Sequence, residues 1–394
     1  MEPVKKSNRY DMSTIGHWID LAVMRKVKQL DLDFHVIMDD DWNDIVMLPR
    51  CLVDCDSLEV LKLKLFGCSL SLESFTGSKT LKIFELDNVN LRDRDLVHSF
   101  LVNCPLLEEL SLIDCSTHNL DYLDISCPNL KTPRINNRGL DYYIGESFCE
   151  RLNIICPKLV YLEYRGYVAN HFSFDVQSLK KAVIELEDLG DIAVLDDNFD
   201  VTLRELFAQV SHVEYLSIHC HSIKSIAFNN FPEEVFPSFP NLKTLEITLF
   251  CRYMDDLVCL LKCSPNLKSL HMIIIDVGIT PEEVETFIDE FDEVERRTLT
   301  CVHLKRVEFP KFSGEKELLA IARFLLEHGN ALEEMVFGWS NKDKYHTQSM
   351  DTMNEVSNFY KASLSVKVIT LLKIDTSDSS ETDTSCSSES DTSF

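Results

Sequence analysis

Leu107-Glu108-Glu109-Leu110-Ser111-Leu112 and Leu242-Lys243-Thr244-Leu245-Glu246-Ile247 are one phrase written twice, and Leu267-Lys268-Ser269-Leu270-His271-Met272 is a third copy. Each has a leucine, two residues, an apolar residue, one residue and a second apolar residue. Cys104-Pro105 precedes the first copy, Pro240-Asn241 the second and Pro265-Asn266 the third. The closing apolar pair has period two, the spacing of a strand that buries one face. Looser copies begin at Val27, Leu58, Leu81, Leu120, Leu130, Leu159, Leu179, Val213, Leu304 and Leu332.

The copies recur at intervals of roughly 20 to 30 residues, the period of leucine-rich repeats. One such unit cannot bury its own apolar edge, but stacked units can, because each covers the next. The pattern predicts an α/β leucine-rich-repeat solenoid, right-handed, with parallel strands on the concave face and helices or loops on the convex face. Each of the phrases should be one rung. Stacking also lets 394 residues share one core, where a compact chain of that length would divide into domains.

The expected organisation is a loose N-terminus (1–11), a repeat region (12–299), a C-terminal stretch that continues and caps the stack (300–372) and an acidic Ser/Thr-rich tail (373–394). The tail has too few apolar residues to order itself. Helices are predicted over Met12–Val23, with Ile15, Trp18, Ile19 and Ala22 on one face, and over Arg92–Val102, with Leu96, Phe100 and Leu101 inward. Cys104-Pro105 stops the second, since the residue before proline is pushed out of helical space. Further helices are expected at about 201–210, from the Thr280 capping box to Val294, over Glu315–His328 with Gly329 as its C′ residue, and over Met350–Ala362. Leu364–Leu371 reads as a last strand. Pro133 stands where an apolar strand residue belongs and cannot donate to a ladder.

The composition is globular, 45% hydrophobic and 26% charged. A formal net charge of −26 argues against nucleic acid, whose backbone is held by Lys and Arg, and against anionic membrane surfaces. No run approaches the ~20 apolar residues of a membrane span, and Met1-Glu2-Pro3-Val4-Lys5-Lys6 opens no signal peptide. A cytoplasmic or nuclear location is expected, where the 14 cysteines stay reduced. Cys104, Cys115, Cys127, Cys156, Cys220 and Cys263 flank strands, which suits a thiol acting as a small buried hydrophobe.

Several stretches follow in an order that resembles the plant F-box/LRR/FBD family. They are His17-Trp18-Ile19, Val27-Lys28-Gln29-Leu30-Asp31-Leu32-Asp33, Leu48-Pro49-Arg50-Cys51-Leu52, Leu58-Glu59-Val60-Leu61-Lys62-Leu63 and Asn103-Cys104-Pro105-Leu106-Leu107. Leu304-Lys305-Arg306-Val307-Glu308-Phe309, Phe312-Ser313-Gly314, Phe324-Leu325-Leu326-Glu327 and Ala331-Leu332-Glu333-Glu334-Met335 resemble the FBD module. The resemblance covers about residues 12–372. It implies non-catalytic protein recognition, as in the substrate-binding part of an F-box receptor of a cullin-type (SCF) ubiquitin ligase. The departure is at the front, where nothing before Val27 reads as an F-box. Without that module no grip on the cullin-ligase adaptor is expected, and the alternative is a ligase-independent scaffold or decoy, a truncated paralogue.

Side chains alternate along a strand, so the residues between buried leucines should face an unknown protein partner on the concave face. The candidates are Tyr161, Glu163, Arg165, Tyr215, Ser217, His219, Glu246 and His271; Tyr and Arg are enriched at binding hot spots. Glu109, Ser111, Thr244, Thr248, Ser269 and Ile273 belong to the same set. His219-Cys220-His221 does not read as a metal site, because alternation splits it and no second pair lies at zinc spacing. Cys51 with Cys55 and Cys259 with Cys263 read as core packing. No phosphate loop, dinucleotide-binding glycine run, HExxH or GxSxG is present, so no cofactor, metal or catalytic residue is assigned; a remote alternative is an enzyme with an unrecognised Cys/His site. Ser380 and Ser388 each have an acid at +1 and +3, a pattern for acidophilic phosphorylation. Val366-Lys367-Val368-Ile369 resembles a SUMO-binding strand and reads better as a closing strand of the stack.

Overall fold

The computed structural model describes residues 12–33, 45–52, 54–65, 68–71, 77–91, 94–117, 120–137, 150–166, 169–186, 199–219, 237–249, 254–275, 302–312 and 314–372. The tail with Ser380 and Ser388, the helix expected over 280–294, and Cys220 with His221 lie outside them.

The first third of the chain runs α1 (Met12–Met24), β1 (Gln29–Asp33), β2 (Ile45–Met47), β3 (Val60–Lys64), β4 (Ser69–Ser71), β5 (Ile83–Asp87), α2 (Arg94–Val102) and β6 (Glu109–Ile113). The middle is built from strands β7 (Tyr122–Ser126), β8 (Thr132–Asn136), β9 (Arg151–Ile155), β10 (Tyr161–Gly166), β11 (His171–Asp175) and β12 (Lys181–Leu186), then α3 (Phe199–Gln209) and β13 (Tyr215–His219). The last part contains β14 (Thr244–Leu249), α4 (Met254–Cys263), β15 (Ser269–Ile274), β16 (Arg306–Phe312), α5 (Lys316–His328), β17 (Glu334–Trp339), α6 (Lys342–Ser357) and β18 (Lys367–Leu372).

One 13-stranded sheet threads the molecule in the order β1-β3-β5-β6-β8-β10-β12-β13-β14-β15-β16-β17-β18, and every pairing in it is parallel. This is the expected α/β leucine-rich-repeat solenoid. The phrase leucines on these strands fall on one face. Leu61, Leu86, Leu110, Leu162, Leu216, Leu245 and Leu270 are at most 2% exposed. Each such side chain gains about 1.5–3 kcal/mol from leaving water, and each rung covers the next.

The Pro-Asn that introduces several phrases is a cross-rung tie. The Asn129 side-chain amide donates to Pro105 O (2.6 Å), and Asn266 does the same to Pro240 O (2.8 Å). The cysteines also bridge rungs: Cys115 Sγ lies 3.5 Å from Leu86 O and Cys156 Sγ 3.5 Å from Ile125 O. Both thiols are fully buried, as a small apolar side chain would be.

The back of the sheet carries helices in some turns and strands in others. β7, β9 and β11 form a separate parallel sheet. This corrects the reading of the Leu120 phrase, which is not a rung of the main sheet. Its Leu123 and Ile125 are buried from the opposite side of the core. The turns there are too short to hold helices, so extended backbone fills them. Helix α2 packs against β7 and helix α3 against β11, covering the two ends of this small sheet. Gln209 of α3 serves β11 directly: its Nε2 donates to Phe172 O (3.0 Å) and its Oε1 accepts from Phe174 N.

Four local expectations need correction. Trp18 is 45% exposed, while Ile15 and Ile19 carry the burial of α1. Pro133 sits within β8, buried opposite Leu110; its ring fills the leucine position, and the ladder tolerates the missing donor. Gly329 ends α5 at φ −88°, not in the left-handed region. Glycine suits it by size, because a Cβ there would meet Leu325 O at 2.6 Å. Helix α6 begins well before Met350, capped by Asn341, whose side chain accepts from Lys344 N at 2.9 Å.

Strand β16 continues from β15 without a break, Ser269 pairing with Arg306. Behind it the core becomes aromatic. Phe309 stacks on Phe337 (5.1 Å between centroids), and Phe312 meets Trp339 edge-on (4.8 Å).

Candidate functional site

On the open face of the main sheet, parallel register lines residues up in rows. One row crosses the strands as Glu163, Val183, Ser217, Glu246, His271 and Glu308. The row beside it contains Tyr161, Lys181, Tyr215, Thr244, Ser269 and Arg306. A third contains Arg165, Glu185, His219, Thr248 and Ile273. All eight candidate residues therefore share one face of β10, β13, β14 and β15. Each is half-buried and flanked by its row neighbours.

These side chains hold one another. Tyr161 Oη donates to Glu163 Oε2 (2.7 Å), and Arg165 bridges Glu163 and Glu185, both at 2.6 Å. Arg134 approaches Glu163 from the other side (3.8 Å). Burial, with the Glu163 carboxylate beside it, pushes the Tyr161 hydroxyl up to about 12. Tyr215 is raised as well, by burial and then by its hydrogen bond to Glu246. Both phenols stay protonated and keep donating at any physiological pH. The Lys181 ammonium lies 4.4 Å from the centre of the Tyr215 ring, a cation–π contact. Ser269 Oγ and His271 Nε2 are 3.0 Å apart, and His271 Nδ1 is 3.9 Å from Glu308. Arg306 clamps Glu308 (2.9 Å) and also pairs with Glu334.

Sequence reasoning missed Lys181, Val183 and Glu185 of β12, which lie between the chosen strands. Their signal was available: they occupy the same places in the Leu179 phrase as Tyr161, Glu163 and Arg165 in the Leu159 phrase. Arg134 of the Leu130 phrase and Arg306 and Glu308 of the Leu304 phrase hold the same open-face places; the register then shows that they reach the same network.

The arrangement offers hydroxyl, carboxylate, guanidinium and imidazole groups for contact. The described thiols near the sheet point away from water: burial raises Cys104 to about 11 and Cys115 and Cys156 to about 12. Cys51, beside Asp20, is likewise raised to about 12, first by burial. A thiol held protonated is a poor nucleophile. Among the described residues no three His, Cys, Asp or Glu side chains converge as a metal ion requires. No described helix is long and apolar enough to cross a membrane.

The comparisons with known proteins agree with a leucine-rich-repeat solenoid. Residues 1–376 match the family described as At1g61320/AtMIF1, LRR domain. The chain belongs to this family. It is similar to the FBD-associated F-box protein At5g22730 of Arabidopsis thaliana, 26% identical over 348 residues, which cover 85% of this chain and 72% of the relative. It is similar to F-box/LRR-repeat protein 13 of the same plant, 25% identical over 374 residues, covering 92% and 77%. The putative F-box/FBD/LRR-repeat protein At1g66290 gives 25% over 374 residues, covering 92% and 75%. The resemblance read from the repeat phrases and the FBD-like stretch is therefore correct: this is a plant F-box/LRR/FBD-type protein. Its family consists of protein-interaction modules.

Proposed function

We propose that this protein captures another protein on the open face of its main sheet, as the substrate-binding part of an F-box receptor of a cullin-type ubiquitin ligase does. The observation that supports this most is the alignment of Tyr161, Arg165, Tyr215, Glu246 and His271 on one face of the sheet from β10 through β12 to β15. Aromatic and Arg anchors set among polar neighbours are the usual composition of a protein interface. The face is already ordered by its own hydrogen bonds, so a partner would pay little ordering entropy here. Residues 300–372 are read as the FBD-like end of the same stack, and the site of action as cytoplasm or nucleus.

Proximity labelling followed by pull-down with the full chain tests the proposal. A partner retained by the wild type should be lost from the double variant Tyr161→Ala/Tyr215→Ala at unchanged circular dichroism. Retention by that variant would move the binding surface elsewhere. The ligase role is tested separately: co-purification with the cullin adaptor supports the receptor reading, and partner capture without the adaptor supports the scaffold or decoy reading.

A further inference from the structure

The edge of the main sheet at which the strands begin carries its own charge pattern. The residue after each phrase's leading apolar position stacks on its counterpart through backbone hydrogen bonds. From β1 to β8 the signs alternate: Lys28, Glu59, Lys82, Glu108, Lys131. Each carboxylate has a cation beside it. Glu59 is bridged by Lys28 (2.9 Å) and Lys82 (2.6 Å), and Glu108 meets Lys131 at 2.8 Å. The Lys82 and Lys28 ammoniums hold Glu59 at about 2.

Past Val160 the order is Lys180, Glu214, Lys243, Lys268, Lys305, Glu333. Lys243 is tied to Glu214 (2.5 Å) and Lys305 to Glu333 (2.6 Å). Lys268 stands between Lys243 and Lys305, its backbone bonded to both (2.9 and 2.8 Å). Among the described residues it has no acidic partner. Alternation would place a glutamate there. Three lysines on rungs ~4.8 Å apart repel one another, as like charges directly opposite in a sheet do. A local rule broken without compensation among the described residues points to a place where function decides the residue.

Lys268 also borders an open groove of about 940 Å³, with Lys180, Lys243, His212, Asn241 and Asn266 in its wall and Glu214, already paired to Lys243, as the one acid lining it among the described residues. In a chain of net charge −26 this is a concentration of positive charge against the average. The chain supplies an anion within reach. Residues 375–394 hold six carboxylates and no Lys or Arg. Leu372 ends β18 at the far side of the sheet, three strands from β15. The ~15 Å across at the usual strand spacing and the ~20 Å of one strand length are at right angles, a direct separation of ~25 Å. Nine extended residues can span ~30 Å, enough reach for Glu381 and Asp383 to meet the groove.

We propose that Lys268, with Lys243 and Lys180, holds the acidic tail of this same chain, the tail carboxylates supplying the negative charge that the ladder lacks at this rung. Tethering raises the tail's effective concentration to the millimolar range. Phosphorylation of Ser380 or Ser388 would strengthen the contact, and an acidic partner segment would have to displace it.

Carbodiimide cross-linking of the full chain, read by mass spectrometry, tests this, since the reagent joins only an amine and a carboxylate in direct contact. Cross-links from Lys268 and Lys243 to Glu381, Asp383 or their neighbours are expected, falling about fivefold between 50 and 500 mM salt as screening sets in. Lys268→Glu should abolish them while leaving the melting temperature equal or higher, because it restores alternation; Lys268→Gln should weaken them without unfolding the chain. A mixture of isotopically light and heavy chains should show links within one chain only. Tail links spread equally over the paired lysines Lys82 and Lys131, links only between chains, links only to a co-purified protein, or a melting temperature lowered by both variants would each overturn the proposal.

Discussion

The two faces of the main sheet answer to different rules, although the same strands build both. On the core face, β10 presents Leu162 and Tyr164, at most 2% exposed, and Tyr164 meets Phe172 of the small back sheet edge-on at 5.6 Å. On the open face the same strand presents Tyr161, Glu163 and Arg165, joined to each other and to Glu185 by hydrogen bonds. The core face is satisfied by any well-fitting apolar side chain, and it repeats. The open face is satisfied only by particular pairs, and it does not repeat from rung to rung. What recurs along this chain holds it together, and what varies from rung to rung is free to be read by a partner.

Substitutions should separate the faces by magnitude. The largest effect is expected in the aromatic core behind β16 and β17. Phe337, fully buried between Phe309 and Phe312, should cost about 3–5 kcal/mol on Phe337→Ala, measured by urea unfolding. A loss under about 1 kcal/mol would mean that the C-terminal rungs are not part of one cooperative core.

The next effect belongs to the open face. Arg165→Met strips the cation from Glu163 and Glu185, the latter buried. A loss of about 1–3 kcal/mol is expected, the penalty of leaving a buried polar group without its partner, and Glu185→Gln in the same chain should recover part of it. Full additivity of the two changes would show that the ion pair does not hold the face in shape.

Smaller still is the contribution of the edge ladder, which shows as pH dependence. Glu59, Glu108 and Glu214 are all held below the ordinary carboxylate range by the lysines beside them. Carboxylates depressed in the folded state stabilise it above their unfolded value of about 4.3 and lose that contribution as the pH falls. Urea midpoints should therefore decline from about pH 4.5 towards pH 2, and Glu59→Gln should flatten the decline. The smallest stability change is predicted for Tyr215→Phe, within about 0.5 kcal/mol, because the ring stays and only the hydroxyl to Glu246 is lost. If the open face is the capture surface, this nearly silent change should still weaken partner retention in a pull-down.

The repeat phrases made most of the solenoid legible. A leucine spacing that means a buried strand is a local signal, and each copy repeats it. The candidate site was legible to the same depth: alternation alone placed Tyr161, Glu163 and Arg165 on the side opposite Leu162. Failures came where two placements share one local pattern. Tyr122-Leu123-Asp124-Ile125 has the same alternation whether its strand joins the main sheet or the small sheet behind it. Trp18 is apolar and near the inward face of α1, yet the helix turns it towards solvent. Helices α2 (Arg94–Val102) and α5 (Lys316–His328) were recognisable because they combine a 3.6-residue period with a stop, Cys104-Pro105 in one and Gly329 in the other.

Sequence by itself determined the rung: which residues alternate, which leucines are buried, and that parallel stacking is the only way to cover them. It did so because hydrophobic period and turn chemistry act over a few residues. Tertiary structure alone decided which rung stands beside which, that Arg165 lies between Glu163 and Glu185, that Gln209 satisfies the edge of β11, and that Lys268 has lysines on both sides. Those facts depend on register across strands 20 or more residues apart, and register emerges only when every rung has been packed against its neighbour.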